Sequence, residues 1–238
     1  MKEVAEFFDR VPCGSRHSNP ETQRYFVQPH IPGFAQFWKW NGKKVLEIGC
    51  GIGVDTLEFC KAGAIVDALD ASRNSLELTI DRCYPYISRS LWIWNLDTEE
   101  ELPERTYDLI YSFGVLHHTP HPERALKLAY QHLAYDGELR IMLYARWSIK
   151  HLLGIQPEAQ AGCPLVKWYS GWEARNLLWD CGFKVKSIRK THIFPWRISD
   201  YIEHRFVKCW YWRWMPDWLF HVLERIGGHH LLLIATKQ

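Results

Sequence analysis

The chain has 238 residues, which at roughly 100–200 residues per domain allows one generous domain or one domain with an appended cap. Hydrophobic residues make up 47% and charged residues 24%, a globular composition that excludes a disordered chain. The formal charge of +2 sets up no strong field for polyanions, so nucleic acid is not expected as a partner. Residues 1–43 are mixed, with Pro12, Pro20, Pro29 and Pro32 punctuating short helical pieces. From Lys44 the pattern becomes regular.

Val45-Leu46-Glu47-Ile48 is a short apolar run ending in glycines and reads as a buried strand. Residues 53–62 read as a helix, 64–69 as a second strand, 73–82 as a helix, 91–94 as a third strand and 107–112 as a fourth. Pro122 opens a helix over 122–133, and Asp136-Gly137 turns the chain into strand 138–144. Ser170-x-x-Glu173 is a capping box; Ala174, Leu177, Leu178 and Cys181 then follow at helical spacing, with Gly182 at the C-terminal cap. Strands over 183–189 and 231–236 follow. This alternation predicts an α/β fold, a doubly wound and mostly parallel sheet whose ligand lies beyond the carboxyl ends of the strands. The expected organisation is one domain over 1–238. It has an N-terminal helical segment to 43, a core over 44–190, a cap insertion over 191–228 and a final strand over 229–238.

Gly49-Cys50-Gly51-Ile52-Gly53 directly follows the first strand. Glycines permit the tight turn and let a ligand approach the backbone. In a dinucleotide fingerprint the third glycine would stand at position 54, which is Val54, and Glu47 would repel a diphosphate. A cationic or zwitterionic nucleoside suits that carboxylate better. Asp70 closes the second strand, where a carboxylate holds a ribose diol.

Glu47-Ile48-Gly49-Cys50-Gly51-Ile52-Gly53 resembles motif I of class I S-adenosylmethionine-dependent methyltransferases. The stretch from Tyr107 to His118, YDLIYSFGVLHH, is similar to their fourth-strand motif in the small-molecule and quinone-type subgroup. The resemblance covers about residues 35–190 plus the last strand. It implies a seven-stranded sheet with the final strand antiparallel between two others, and S-adenosyl-L-methionine as cofactor. It further implies that the loop from Glu47 through Gly49, Cys50, Gly51 and Gly53 meets the methionine moiety. Asp70, with Ala71 beside it, would hold the ribose, and Asp97 with Thr98 would lie near the adenine. The segment after Asp97 is one residue longer than usual before Leu102-Pro103, so Asn95 or Leu96 also fits that place. Ala134-Tyr135-Asp136-Gly137 stands where a Pro-Gly-Gly is usual. Ser112 and Phe113 would face the transferred methyl group. The Asn/Asp-Pro-Pro-Tyr/Phe segment of enzymes that methylate adenine or glutamine nitrogen is absent there.

His117, His118 and His121 do not share one helical face, because Pro120 and Pro122 intervene, and no metal site is expected. Either they hydrogen-bond the loop, or one is a general base, in which case His117 is the residue expected to reach the pocket. Of the 13 tryptophans, nine follow position 146. In the cap, Trp196 and Trp212 are expected to wall the acceptor pocket with Tyr25 and His30 of the N-terminal segment. A bilayer-facing patch ranks below that lid. The expected activity is methyl transfer to oxygen or nitrogen of a small organic molecule. The alternatives are C-methylation of an isoprenoid or quinone-like lipid at a membrane surface, and a non-catalytic nucleoside-binding module. Charges in the first ten residues, no run of about 18 apolar residues, and seven cysteines without a Cys-x-x-Cys pair point to the cytoplasm and to no transmembrane segment.

Overall fold

The computed structural model describes residues 2–10, 12–13, 19–86, 91–93, 105–152, 163–203 and 205–238. Three helices lead, α1 (Lys2–Arg10), α2 (Pro20–Val27) and α3 (His30–Ala35). The alternating core then runs β1 (Lys44–Ile48), α4 (Val54–Lys61), β2 (Ile65–Asp70), α5 (Arg73–Cys83), β3 (Leu91–Ile93) and β4 (Tyr107–Phe113). It continues through α6 (Pro122–His132), β5 (Leu133–Tyr144), a short α7 (Ile149–Leu152), α8 (Gly171–Asp180) and β6 (Phe183–Thr191). Between β6 and the last strand β7 (His230–Lys237) the insertion forms α9 (Ile198–Ile202), α10 (Trp210–Arg213) and α11 (Asp217–Gly227).

The seven strands lie in the order β3-β2-β1-β4-β5-β7-β6. β7 runs antiparallel to both its neighbours, and every other pairing is parallel. The expected doubly wound sheet is therefore present. Alternation along β1 feeds two cores. Leu46 and Ile48 of β1 join Leu126 of α6 and Leu178 of α8 on one face. Val45 joins Ile31 and Phe34 of α3 and Phe59 of α4 on the other.

Local signals account for the helix ends. Ser170 and Glu173 form the capping box that starts α8, a device contributing about 1 kcal/mol. The turn expected at Asp136-Gly137 takes a different form. β5 already pairs with β4 at Tyr107↔Leu133, and the ladder resumes at Leu109↔Glu138, so the residues between are a bulge inside the strand. Ser72 caps α5 by accepting from the Ser75 N–H at 3.0 Å. The succession of strands runs outward in one direction from β1 and in the other from β4, and this switch between two parallel neighbours opens a crevice at their carboxyl ends.

Candidate functional site

A cavity of about 230 Å³ occupies that crevice. Its floor is the glycine turn, with Glu47, Ile48, Gly49, Cys50, Gly51 and Ile52. Leu69, Asp70 and Ala71 come from the end of β2, and Phe113, Gly114, Val115 and His118 from the loop after β4. Three glycines of the turn have φ of +78°, +56° and +77° at positions 49, 51 and 53, a region that favours glycine. They do different things. A side chain at Gly49 would meet Val115 at 2.1 Å, and one at Gly53 would meet Thr79 at 2.7 Å, whereas one at Gly51 would point into open space. Gly51 is thus the floor left bare for a ligand, while Gly53 caps α4 and does not line the cavity.

Asp70 is fixed at the wall by backbone donors. Its Oδ2 accepts from the Gly51 N–H at 2.8 Å and its Oδ1 from the Ser72 N–H at 2.9 Å. Burial nevertheless raises its pKa above the ordinary value. Glu47 is 3% exposed and takes the Thr56 hydroxyl at 2.6 Å. Burial first, and nearby Asp55 second, hold its carboxyl well above the usual range. A cation beside Glu47 would relieve that penalty. An open backbone floor, a ribose-height carboxylate and a buried acid together fit an adenosyl sulfonium. Asp97 and Thr98 lie outside the described residues.

The strands explain two corrections. Ser112 does not line the cavity; its side chain is buried and its hydroxyl donates to the Ile48 carbonyl at 3.1 Å, tying β4 to β1. Phe113, one residue on, points the other way and does line it. His117 is likewise absent from the walls. It is fully buried, stacked 3.8 Å from the Tyr144 ring, with neither ring nitrogen hydrogen-bonded among the described residues. His118 reaches the cavity instead, because the short 3-10 turn Leu116–His118 directs the two rings differently. His118 Nδ1 lies 2.8 Å from the Leu165 carbonyl, and its buried Nε2 has no partner among the described residues. Burial lowers its pKa, partly offset by the bond to Leu165.

Tyr25 and His30 do not line the cavity either. The Tyr25 hydroxyl donates to Asp55 at 3.0 Å. Asp55, in the first turn of α4, also receives both arms of the Arg24 fork, at 2.8 and 2.6 Å, and the Tyr111 hydroxyl at 3.0 Å. Burial opposes the Arg24 charge, but Asp55 outweighs it and the pKa stays raised. Sequence reasoning missed this pair, although both Arg24 and Asp55 line the cavity. An acid two positions past the glycine loop was the available signal; Arg24 sits in a segment without periodic pattern.

Helix α1 supplies another wall through Val4, Ala5 and Phe8. It is fastened to the start of α5 by Asp9, which accepts from the Ser72 hydroxyl and the Asn74 N–H, each at 3.0 Å. Asn74 Nδ2 in turn donates to the Asp9 carbonyl at 2.7 Å.

The insertion has a cavity of its own, about 480 Å³, walled by Ile149, Lys150, His192, Phe194, Trp196, Tyr211, Trp212 and His229 among others. Trp196 and Trp212 therefore line this chamber and not the glycine-loop cavity, which the insertion reaches through Tyr201. A run of ring contacts lies between the two: His118 is tilted against His117 at 4.3 Å, His117 stacks on Tyr144 at 3.8 Å, and Tyr144 stacks on His229 at 4.2 Å. Beside it, His30 Nε2 meets His230 Nδ1 at 2.9 Å, and the His192 ring lies 4.5 Å from that of His230.

Known proteins share this arrangement. A family model described as methyltransferase domain matches residues 21–188. The chain is 28% identical over 118 residues to the mitochondrial ubiquinone biosynthesis O-methyltransferase of Schizosaccharomyces pombe, covering 49% of this chain and 43% of that protein. It is also 28% identical over 122 residues to the ubiquinone biosynthesis O-methyltransferase of Pseudomonas entomophila, covering 48% and 50%. The chain thus spans about half the length of these curated relatives. Among solved structures, magnesium protoporphyrin IX methyltransferase from Synechocystis PCC 6803 with bound SAM aligns with a TM-score of 0.62 at 16% identity, over 100% of this chain and 96% of that one. The [4+2]-cyclase SpnF aligns at 0.66 and 14% identity, over 98% and 95%. At such identities these two likenesses speak for the fold. The family match spans most of the chain and agrees with the strand order and the glycine-loop cavity: this chain belongs to the methyltransferase domain family, in the class I, S-adenosylmethionine-dependent group.

Proposed function

We propose that the protein transfers a methyl group from S-adenosylmethionine to an oxygen or nitrogen of a small, largely apolar organic acceptor. When bound, the cofactor supplies an electrophilic sulfonium methyl, and the protein has to orient the acceptor and remove a proton where the acceptor carries one. One observation carries the reading: His118 shares a cavity with the open floor at Gly51 and the carboxylate of Asp70. With its Nδ1–H donating to the Leu165 carbonyl, His118 presents a lone pair at Nε2, which has no partner among the described residues. Burial keeps that ring neutral and ready to accept a proton from a hydroxyl or ammonium. Asp70 serves the ribose hydroxyls, and Glu47 offsets positive charge on the methionine side. The cap chamber with Trp196 and Trp212 holds the apolar body of the acceptor.

Methylation at carbon of a quinone-like lipid is a second reading. The size and aromatic lining of the cap chamber suit the body of such a lipid, whereas the ubiquinone O-methyltransferases among the relatives favour transfer to oxygen. The test is transfer from methyl-labelled cofactor to a panel of phenols, amines and quinone precursors. Label is expected on oxygen or nitrogen, and H118F should lower kcat by about 10²–10⁴-fold while leaving S-adenosylhomocysteine affinity unchanged. In the wild type the acid limb of the rate profile should fall below the ordinary histidine pKa of about 6.5, since a lowered pKa preserves the base form there. Binding of S-adenosylhomocysteine without transfer to any acceptor would overturn the reading.

A further inference from the structure

Helix α11 is apolar on two sides. Leu219, Phe220 and Leu223 are half-buried, and the Phe220 ring meets Trp212 of α10 edge-on at 5.5 Å. Trp218, Val222 and Ile226, spaced by four, form a second stripe that faces outward; Trp218 is 68% and Ile226 66% exposed. Asp217, His221, Glu224 and Arg225 share one side of the helix, and the apolar face opposite is wider than the part its neighbours cover. Four more aromatic residues continue the stripe. Trp210, Tyr211 and Trp214 are exposed on and just after α10, Trp214 by 81%, and Trp147 is exposed beside the end of α11. Lys190 fixes that last neighbour, since its Nζ donates to the carbonyls of both Trp147 and Ile226, at 3.3 and 3.2 Å.

The charges sort with this face. Arg213 and Arg225 are exposed there without an ion-pair partner among the described residues. Glu224 is turned the other way, accepting from the Thr191 hydroxyl at 3.1 Å and the His192 N–H at 2.8 Å. Asp217, at the helix start, is the outward acid of α11. Large amphipathic rings with two cations among them, Glu224 withdrawn and one outward acid are complementary to the phosphate and acyl boundary of a bilayer. The cap chamber lies among the same elements, sharing Tyr211, Trp212, Ile149 and Gly227.

We propose that this face of α10, α11 and Trp147 docks the protein on a phospholipid bilayer, lying in the interface without crossing it. This assignment stands apart from the transfer chemistry and is tested without turnover. The full chain is floated with vesicles of phosphatidylcholine, and with vesicles that also contain phosphatidylglycerol. It should float with both, more strongly with the anionic set, with tryptophan fluorescence shifted to the blue. The double variant W214S/W218S should lose about ten-fold or more of the vesicle affinity, because the apolar insertion is removed. Its melting temperature and S-adenosylhomocysteine affinity should be unchanged, because both side chains are exposed. R213E/R225E should abolish only the preference for phosphatidylglycerol. A wild-type chain that stays soluble overturns the proposal, as does equal flotation of W214S/W218S. A dimer in solution that W214S/W218S dissolves, with no flotation, would assign the face to a second copy and also overturn it.

Discussion

Acid should destabilise this protein through its buried histidines. Five rings, His30, His117, His192, His229 and His230, are packed where burial pushes their pKa values down, that of His30 to about 3. In the unfolded chain they titrate near 6.5, so below that pH the unfolded state binds more protons than the folded one. Stability is therefore full above pH 6.5 and lost as pH falls towards the folded values. Each ring that stays neutral costs about 1.4 kcal/mol per pH unit, hence about 2 kcal/mol between pH 6.5 and 5. The five rings act in one direction; Glu47, whose folded pKa is raised, acts in the other, and the rings outnumber it. Urea unfolding at pH 7, 6 and 5 should show a steep decline in stability. H229F keeps the stack on Tyr144 and removes one titrating group, so it should flatten the slope by about 1.4 kcal/mol per pH unit. A stability constant between pH 7 and 5 would refute the argument.

Four further outcomes are expected. D70A should weaken S-adenosylhomocysteine binding by about 2–3 kcal/mol in calorimetry, the range for hydrogen bonds to a charged group; unchanged affinity in a folded variant removes the ribose assignment. G51V should abolish the ligand-induced rise in melting temperature while lowering the ligand-free melting temperature less than G49V, whose side chain collides with Val115. D55A leaves the Arg24 guanidinium without its carboxylate and should cost about 3–5 kcal/mol in urea unfolding. W212A should raise the acceptor KM with cofactor affinity nearly unchanged, and an equal loss of both would make the residue merely structural.

Where backbone pattern alone decides structure, the sequence was readable. The apolar run before Gly49, the capping box at Ser170 and the alternation from Lys44 onward locate the sheet and the ligand crevice, because each is a local constraint. Gly51 and Asp70 could be placed for the same reason, being tied to the ends of β1 and β2. What escaped depends on side-chain direction and on long-range partners. His117 and His118 are chemically identical neighbours, and only the packing of Tyr144 beneath one ring decides which reaches the cavity. Tyr25 and His30 were expected to wall the acceptor pocket, yet their polar atoms are taken by Asp55 and His230, residues 30 and 200 positions away. Trp196 and Trp212 do share a wall, but it belongs to a chamber that an insertion without periodicity gave no means to foresee.

The fastening of α1 has a kinetic consequence. Val4, Ala5 and Phe8 form one side of the glycine-loop cavity, and Asp9 pins that helix to Ser72 and Asn74 directly beside Asp70. On the proposed reading, the carboxylate for the ribose and the bolt that holds the wall thus sit close together in the chain, at Asp70 and at Ser72 and Asn74. Spent nucleoside leaving past this wall waits for three hydrogen bonds to break together, an event of local opening and not of chemistry. Turnover of tightly held cofactor would then be paced by α1, and residence time would become a property of Asp9 as much as of the residues that touch the ligand.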